Sequence, residues 1–328
     1  MNIFVTGGAG YIGSATAEAL LEAGHTVTVY DSLVTGYRQA VPEATRFIHA
    51  DLADGEALTA ALACEKYDAV MHFAAFIEAG ESMKEPGKFF HNNLVNSLHL
   101  IEATTRAGID RFVLSSSAAV YASSDEPLTE DSPLDPANVY GFTKLSIEQA
   151  MDWYHQIYGL HFAALRYFNA AGAVSGRGEA HQPESHLIPL VLKVALGQAD
   201  AAQIYGTDYS TPDGTCIRDY IHIADLVAAH LLALGALNEK DKLIYNLGNG
   251  AGYSVNQVIE TARRVTGGEI PVVESPRRPG DAPWLVASSE KIRRELGWQP
   301  QHPDLGDIVA SAWEWHRTHP NGFREVGV

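Results

Sequence analysis

The sequence predicts an α/β protein, a doubly wound parallel sheet joined to a smaller carboxy-terminal domain. Three observations carry this. The apolar run Ile3-Phe4-Val5 ends in a glycine loop that opens an alanine-rich helical stretch. Short strand-like segments then alternate with helical ones as far as Tyr167, and from Gly172 to Pro183 the alternation gives way to glycine and polar residues. Strands separated by helices predict parallel pairing with helices on both faces of the sheet. A chain of 328 residues is long enough for one large or two moderate cores. The change of pattern divides it into residues 1–168, with a returning segment at about 215–248, and residues 169–328.

Composition excludes several classes. With 23 basic against 40 acidic residues the net charge is −17, which disfavours broad binding to nucleic acid or to an anionic membrane surface. An anionic ligand must therefore be met by local arginines. Cys64 and Cys216 are too few for a disulfide framework and lack a metal-ligand spacing, and the 14 histidines are scattered, so no metal is expected. The chain opens without a basic leader, and no apolar run approaches the roughly 18 residues of a membrane span. A soluble, cytoplasmic protein is expected.

In chain order, the first strand runs into Thr6-Gly7-Gly8-Ala9-Gly10-Tyr11-Ile12-Gly13. Gly7, Gly10 and Gly13 leave bare backbone where a diphosphate approaches the helix N-terminus, whose unpaired N–H groups attract anions. A second strand, Thr26 to Tyr30, closes at Asp31, followed by Ser32 and Leu33. An acid there accepts from a ribose 2′-hydroxyl and repels a 2′-phosphate, so the dinucleotide is NAD and the first domain is of Rossmann type.

Further strands are expected near Arg46–Ala50, Ala69–Phe73, Arg111–Ser115 and Phe162–Tyr167. Ligands of such sheets bind at strand carboxyl ends, which brings in Asp51 with Leu52 and Phe73 with Ala74 and Ala75 on the adenine or nicotinamide side. Phe90, Leu94, Leu98 and Ile101 share helical spacing, as do Ile147, Met151, Tyr154 and Tyr158, and read as core or subunit interface.

Ser115, Ser116 and Ser117 close the fifth strand, and Tyr140-Gly141-Phe142-Thr143-Lys144 opens the next helix. A tyrosine and a lysine four apart lie on one helical face, so the ammonium is expected beside the phenol. Ionising a tyrosine near neutrality needs a drop of about 3 pKa units, roughly 4 kcal/mol, which one ammonium at ~4 Å and an effective dielectric of ~20 supplies. Ser117 is placed to share a proton with Tyr140 or donate to a substrate oxygen. Downstream, Arg218 and Arg278 each present a fork of N–H donors suited to phosphate, while His186 and His222 read as hydrogen-bonded structural histidines because no ligand pair accompanies them.

Ser117, Tyr140 and Lys144 behind a dinucleotide loop resemble the short-chain dehydrogenase/reductase superfamily. The blocks from Thr6, His-Phe-Ala-Ala from His72, Ser-Ser-Ser-Ala from Ser115, Leu-Arg-Tyr-Phe-Asn from Leu165 and Arg-Asp-Tyr-Ile-His from Arg218 narrow the resemblance to its UDP-glucose 4-epimerase branch, nearly end to end. The resemblance implies a transient 4-keto sugar formed with bound NAD, a place in galactose metabolism, and a homodimer built through paired helices. By position, Asp31, Asp51, Phe73, Ala74, Asn92, Ser117, Tyr140, Lys144 and Phe168 meet NAD or the reacting sugar. Asn169, Leu187, Tyr205, Arg218, Arg278 and Asp281 meet the UDP portion or the sugar.

Two departures from the branch, and one gate position within it, bear on function. Ile77 and Glu78 stand where many members carry a lysine near the cofactor, so NAD is expected to exchange more readily. His186 stands where an asparagine often precedes Leu187 and becomes a substrate-contact candidate. Leu285 takes a position that gates the sugar, and its size implies preference for UDP-glucose and UDP-galactose with weaker use of N-acetylated sugars. Competing readings on the same scaffold are another sugar-nucleotide epimerase, a 4,6-dehydratase, or a non-catalytic NAD sensor; Ala118 and Ala119 after Ser117 argue against the dehydratase.

Overall fold

A computed structural model describes residues 1–278 and 281–323. Strand β1 (Asn2–Thr6) leads through the glycine loop into α1 (Tyr11–Glu22), and β2 (Thr26–Asp31), β3 (Arg46–His49), α2 (Gly55–Ala63) and β4 (Ala69–His72) follow. Helix α3 (Asn96–Arg106), β5 (Arg111–Ser117), α4 (Val139–Tyr158) and β6 (His161–Tyr167) complete the first run. The chain then leaves for the smaller domain, with α5 (Leu187–Ala195), and returns through α6 (Ile223–Ala236) to β7 (Lys242–Leu247). Helices α7 (Val255–Thr266) and α8 (Leu305–Thr318) belong to the smaller domain.

The seven strands pair in the order β7-β6-β5-β4-β1-β2-β3, all parallel. The winding direction reverses between β1 and β4, and the crevice outside their carboxyl ends is where such sheets bind ligands. Alternate residues of each strand enter opposite cores. Ile3 and Val5 pack with Leu20 of α1 and Leu226 and Ala233 of α6, while Phe4 packs with Leu58 and Leu62 of α2, Leu100 of α3, and Ile147 and Met151 of α4. Burial on both faces is the reason the strands read as continuous apolar runs. A third core, built on Val191, Leu192, Val258, Ile259, Ile308 and Val309, holds α5, α7 and α8 together.

Helix α4 begins where the Asn138 carboxamide oxygen accepts from Gly141 N at 2.9 Å, and ends at Gly159, whose φ of +71° is the left-handed cap geometry. The apolar spacing from Phe90 to Ile101 is not one regular helix. Residues Phe90–Val95 form a π turn between the helical turn Pro86–Phe89 and α3. The wider turn shifts the register, so Leu100 and Ile101 are buried while Val95 faces outward. Among the described residues no helix is long and apolar enough to cross a membrane, and no group of three or more His, Cys, Asp or Glu side chains is arranged to hold a metal ion.

Candidate active site

A cavity of about 1210 Å³ opens above the β1/β4 crevice and is lined by both domains. Gly7, Gly10, Tyr11, Ile12 and Gly13 line one part of it, with Asp31, Ser32, Asp51 and Leu52 beyond. Phe73, Ala74, Ala75 and Asn92 form another part, beside Ser115, Ser117, Tyr140, Lys144 and Phe168.

The first part has the shape and donors that a dinucleotide needs. Gly7 has φ +73°, and a Cβ there would lie 2.4 Å from Ala74 N; a Cβ on Gly13 would meet Gly7 O at 2.2 Å. Only bare backbone packs this closely. The N-terminus of α1 carries no side-chain cap, which leaves its first N–H groups for a diphosphate. The Asp31 carboxylate accepts from Ala9 N at 2.9 Å and from Leu33 N at 2.8 Å, so it fixes the glycine loop as well as facing the cavity. Burial raises its pKa, and these two N–H groups pull it back. Leu33, at φ +58°, lies off the cavity wall.

Ser117 sits at the end of β5, where its Oγ accepts from Ala119 N at 3.1 Å. A Cβ on Gly141 would fall 2.1 Å from Ala119 O, so glycine within the Tyr140–Lys144 segment lets α4 close on the serine turn. Burial raises the Tyr140 pKa; the Ser117 hydroxyl opposes that rise and the Glu78 charge adds to it. Lys144 makes no hydrogen bond to the Tyr140 hydroxyl. Its Nζ lies 6.0 Å from the centre of the Tyr140 ring and donates to Ser115 O at 2.7 Å. Burial lowers its pKa to about 8, with the Glu148 charge opposing. The β5 carbonyl is a fixed acceptor within reach, and it orders the ammonium ahead of the tyrosine.

On the substrate side, Asn169, His186, Arg278 and Asp281 reach the cavity, while Leu187, Tyr205, Arg218 and Leu285 do not line it. The Arg278 guanidinium carbon lies 3.8 Å from the centre of the Tyr205 ring. Arg218 donates to Ile217 O and Ala282 O and approaches Asp281 at 3.4 Å. Leu187 is the first residue of α5. Leu285 pairs with Arg218 in a short strand and packs on the cluster of Ala118, Tyr121, Leu145 and Phe168. Phe168 of this cluster lines the cavity, and Leu285 lies behind the residues that line it. His186 is a cavity residue whose Nδ1 lies 2.8 Å from Glu184. Burial opposes its charge, but Glu184 and Glu179 outweigh this and push its pKa up to about 9. His222 is structural, bonded through Nε2 to Ser311 and through Nδ1 to Ala224 N.

Several site residues are not legible from the motifs. Tyr37 lines the cavity and donates to Ala180 O at 3.0 Å. The buried Asn93 carboxamide clamps both backbone groups of Phe76, donating to its oxygen and accepting from its N–H. The Tyr167 hydroxyl contacts Ser115 Oγ. Glu78 meets His181 of the smaller domain at 2.6 Å. Their shared signal is a polar residue in a segment flanking a motif, which becomes informative only once the segments are brought together.

The model of the NAD dependent epimerase/dehydratase family matches residues 3–248. A UDP-glucose 4-epimerase of Lacticaseibacillus casei is 47% identical over 327 residues, 98% of this chain and 99% of that protein. A crystal structure of a UDP-glucose 4-epimerase superposes with a TM-score of 0.96 at 46% identity, covering 99% of this chain and 100% of the other. A Bifidobacterium longum UDP-glucose 4-epimerase solved in complex with NAD+ and UDP has a TM-score of 0.94 at 36% identity, covering 98% and 100%. The glycine cradle, the Ser117, Tyr140 and Lys144 constellation and the two-domain cavity fit what these likenesses establish: the chain belongs to the NAD dependent epimerase/dehydratase family.

Proposed function

We propose that this chain is a UDP-glucose 4-epimerase that interconverts UDP-galactose and UDP-glucose. The observation that carries the reading is the placement of Ser117, Tyr140 and Lys144 on the wall of one cavity that also holds the glycine cradle and, from the other domain, Asn169, Arg278 and Asp281. The likeness to a protein crystallised with NAD+ and UDP supports it.

Bound NAD would supply the acceptor, and later the donor, of the C4 hydride. The loop Gly7–Gly13 and the first turn of α1 would hold its diphosphate, and Asp31 would accept from its ribose. Tyr140 Oη takes the proton of the sugar 4-hydroxyl as general base, and the Ser117 hydroxyl donates to the same oxygen. Lys144, held on Ser115 O, keeps a positive charge near the developing tyrosinate. Arg278 and Asn169 would hold the UDP portion while the 4-keto sugar turns, and Tyr140 would return its proton to the C4 oxygen. Proton and hydride are both restored, so no external oxidant is consumed. Incubation with UDP-galactose tests the reading: UDP-glucose is expected, a 4-keto-6-deoxy product would make the chain a dehydratase, and no turnover would leave an NAD-binding protein.

The partner surface is a second copy. Phe142 (49%), Trp153 (62%) and Ile157 (64%) form an exposed apolar stripe along α4, and Val95 (38%) is exposed on the neighbouring π turn. Apolar residues aligned on one helical face are what a helix-paired homodimer buries. Light scattering is expected to give twice the chain mass for the wild type and a monomer for Trp153→Glu. The acidic balance and the free Cys64 and Cys216 suit work in the cytoplasm.

A further inference from the structure

Segment Arg177–His186 of the smaller domain supplies one wall of the cavity, and it is fastened to the dinucleotide domain at both ends of the β1 crevice. On the β2 side, the Arg177 guanidinium donates to Ala40 O at 2.9 Å and pairs with Glu18 of α1 at 2.8 Å. The Tyr37 hydroxyl holds Ala180 O at 3.0 Å on the same side. On the β4 side the fastening is the pair of Glu78 Oε1 and His181 Nε2 at 2.6 Å, with only 12% and 11% of the side chains exposed. Since β1 lies between β2 and β4 in the sheet, the segment spans the glycine loop from one flank to the other.

We propose that Glu78 and His181 are cofactor-retaining residues: their pair latches this strap over the bound dinucleotide, and NAD leaves only when the pair opens. Each partner is set for the contact before they meet. The second carboxylate oxygen of Glu78 accepts from Ile77 N at 3.0 Å, and His181 N donates to Glu179 Oε1 at 2.9 Å. The hydrogen bond to Glu78 raises the His181 pKa; burial opposes the Glu78 charge, but the His181 bond and charge together with backbone N–H groups bring the Glu78 pKa to about 2, so the contact favours the ionic form of both partners. Glu78 therefore restrains the cofactor through a contact between domains, although its own charge offers nothing to a diphosphate. The latch runs against the readier NAD exchange expected from Ile77 and Glu78, and the rate of release decides between them.

Release is measured on purified holoenzyme diluted into ethanol and excess alcohol dehydrogenase, which converts each freed NAD to NADH. A buried charge-assisted bond sets the scale, so His181→Ala and Glu78→Ala are each expected to release NAD about tenfold faster than wild type. The exchanged pair, Glu78→His with His181→Glu, is expected to restore slow release, because it re-forms the contact with its ends reversed. Tyr37→Phe, which deletes only the hydroxyl on the opposite flank, is expected to accelerate release as well and serves if a change at the pair prevents folding. Unaltered release in the single variants overturns the latch. Faster release in both singles without recovery in the exchanged pair also overturns it, since local packing would then be the cause.

Discussion

Lys144 Nζ donates to the carbonyl oxygen of Ser115 at 2.7 Å, on the strand that ends in Ser117, and keeps 6.0 Å from the centre of the Tyr140 ring. The ammonium is thus anchored to the sheet, and its influence on the tyrosine is electrostatic, with no hydrogen bond to the hydroxyl. A charge at this distance in a buried site still favours a tyrosinate.

This arrangement sets the pH profile. The Lys144 pKa is brought to about 8, so its charge is present below that value and lost above it. Wild-type kcat is expected to fall above about pH 8 as the Lys144 charge is lost. In Lys144→Met this fall is expected to vanish. Tyr140→Phe should lose about 10²–10⁴ in turnover with little change in UDP binding, the reach of a general base. Retention of a third of the wild-type rate would exclude Tyr140 as that base.

Asp31 does two jobs at once, holding Ala9 N and Leu33 N while it faces the cavity. Asp31→Asn keeps the shape but removes the charge and one acceptor oxygen. NAD affinity is expected to fall roughly ten- to a hundredfold, the scale of hydrogen bonds to a charged group, and the NADP to NAD affinity ratio to rise. Calorimetric titration of NAD-free protein with both dinucleotides reads this directly; an unchanged NAD affinity would remove Asp31 from the site.

His186 gives a pH dependence of stability. Its folded pKa of about 9 lies above the ordinary 6.5, so the stabilisation from Glu184 and Glu179 is complete below pH 6.5 and is lost as the pH rises through about 9. His72 and His316 run the other way: burial lowers them to about 3 and about 4, so stability is lost as the pH falls below 6.5. Thermal melting is expected to peak near pH 6.5, and in His186→Gln the alkaline decline should flatten while the acid side is unchanged. Parallel alkaline curves for the two proteins would mean that His186 is not charged in the fold.

Leu285→Tyr separates a gate from a packing residue. Because Leu285 sits against Tyr121, Leu145 and Phe168 rather than on the cavity wall, the larger ring should overpack the cluster and cost about 1–3 kcal/mol of stability. The ratio of kcat/KM for UDP-N-acetylglucosamine to that for UDP-glucose should change less than about threefold, below the range that a pocket contact commands. A collapse of that ratio without loss of stability would return Leu285 to the gate.

By itself, the sequence determined what depends on local chemistry. The spacing of Gly7, Gly10 and Gly13 together with Asp31 requires a dinucleotide cradle, since a Cβ on Gly7 or Gly13 would lie only 2.2–2.4 Å from another backbone atom. Alternating apolar segments required a parallel sheet, because only helices on both faces bury both sides of every strand. Ser117, Tyr140 and Lys144 were named by residue type and spacing, and the fold brings all three to one wall. Tertiary structure alone decided what each polar group actually meets. Lys144 donates to a strand carbonyl, Leu285 packs on the cluster that holds Phe168, and Glu78 meets His181 across 103 residues of sequence. Helical spacing fixes which face a side chain leaves from, whereas its partner is set by whichever buried acceptor, ring or charge another segment delivers to that face, and that depends on how the two domains close.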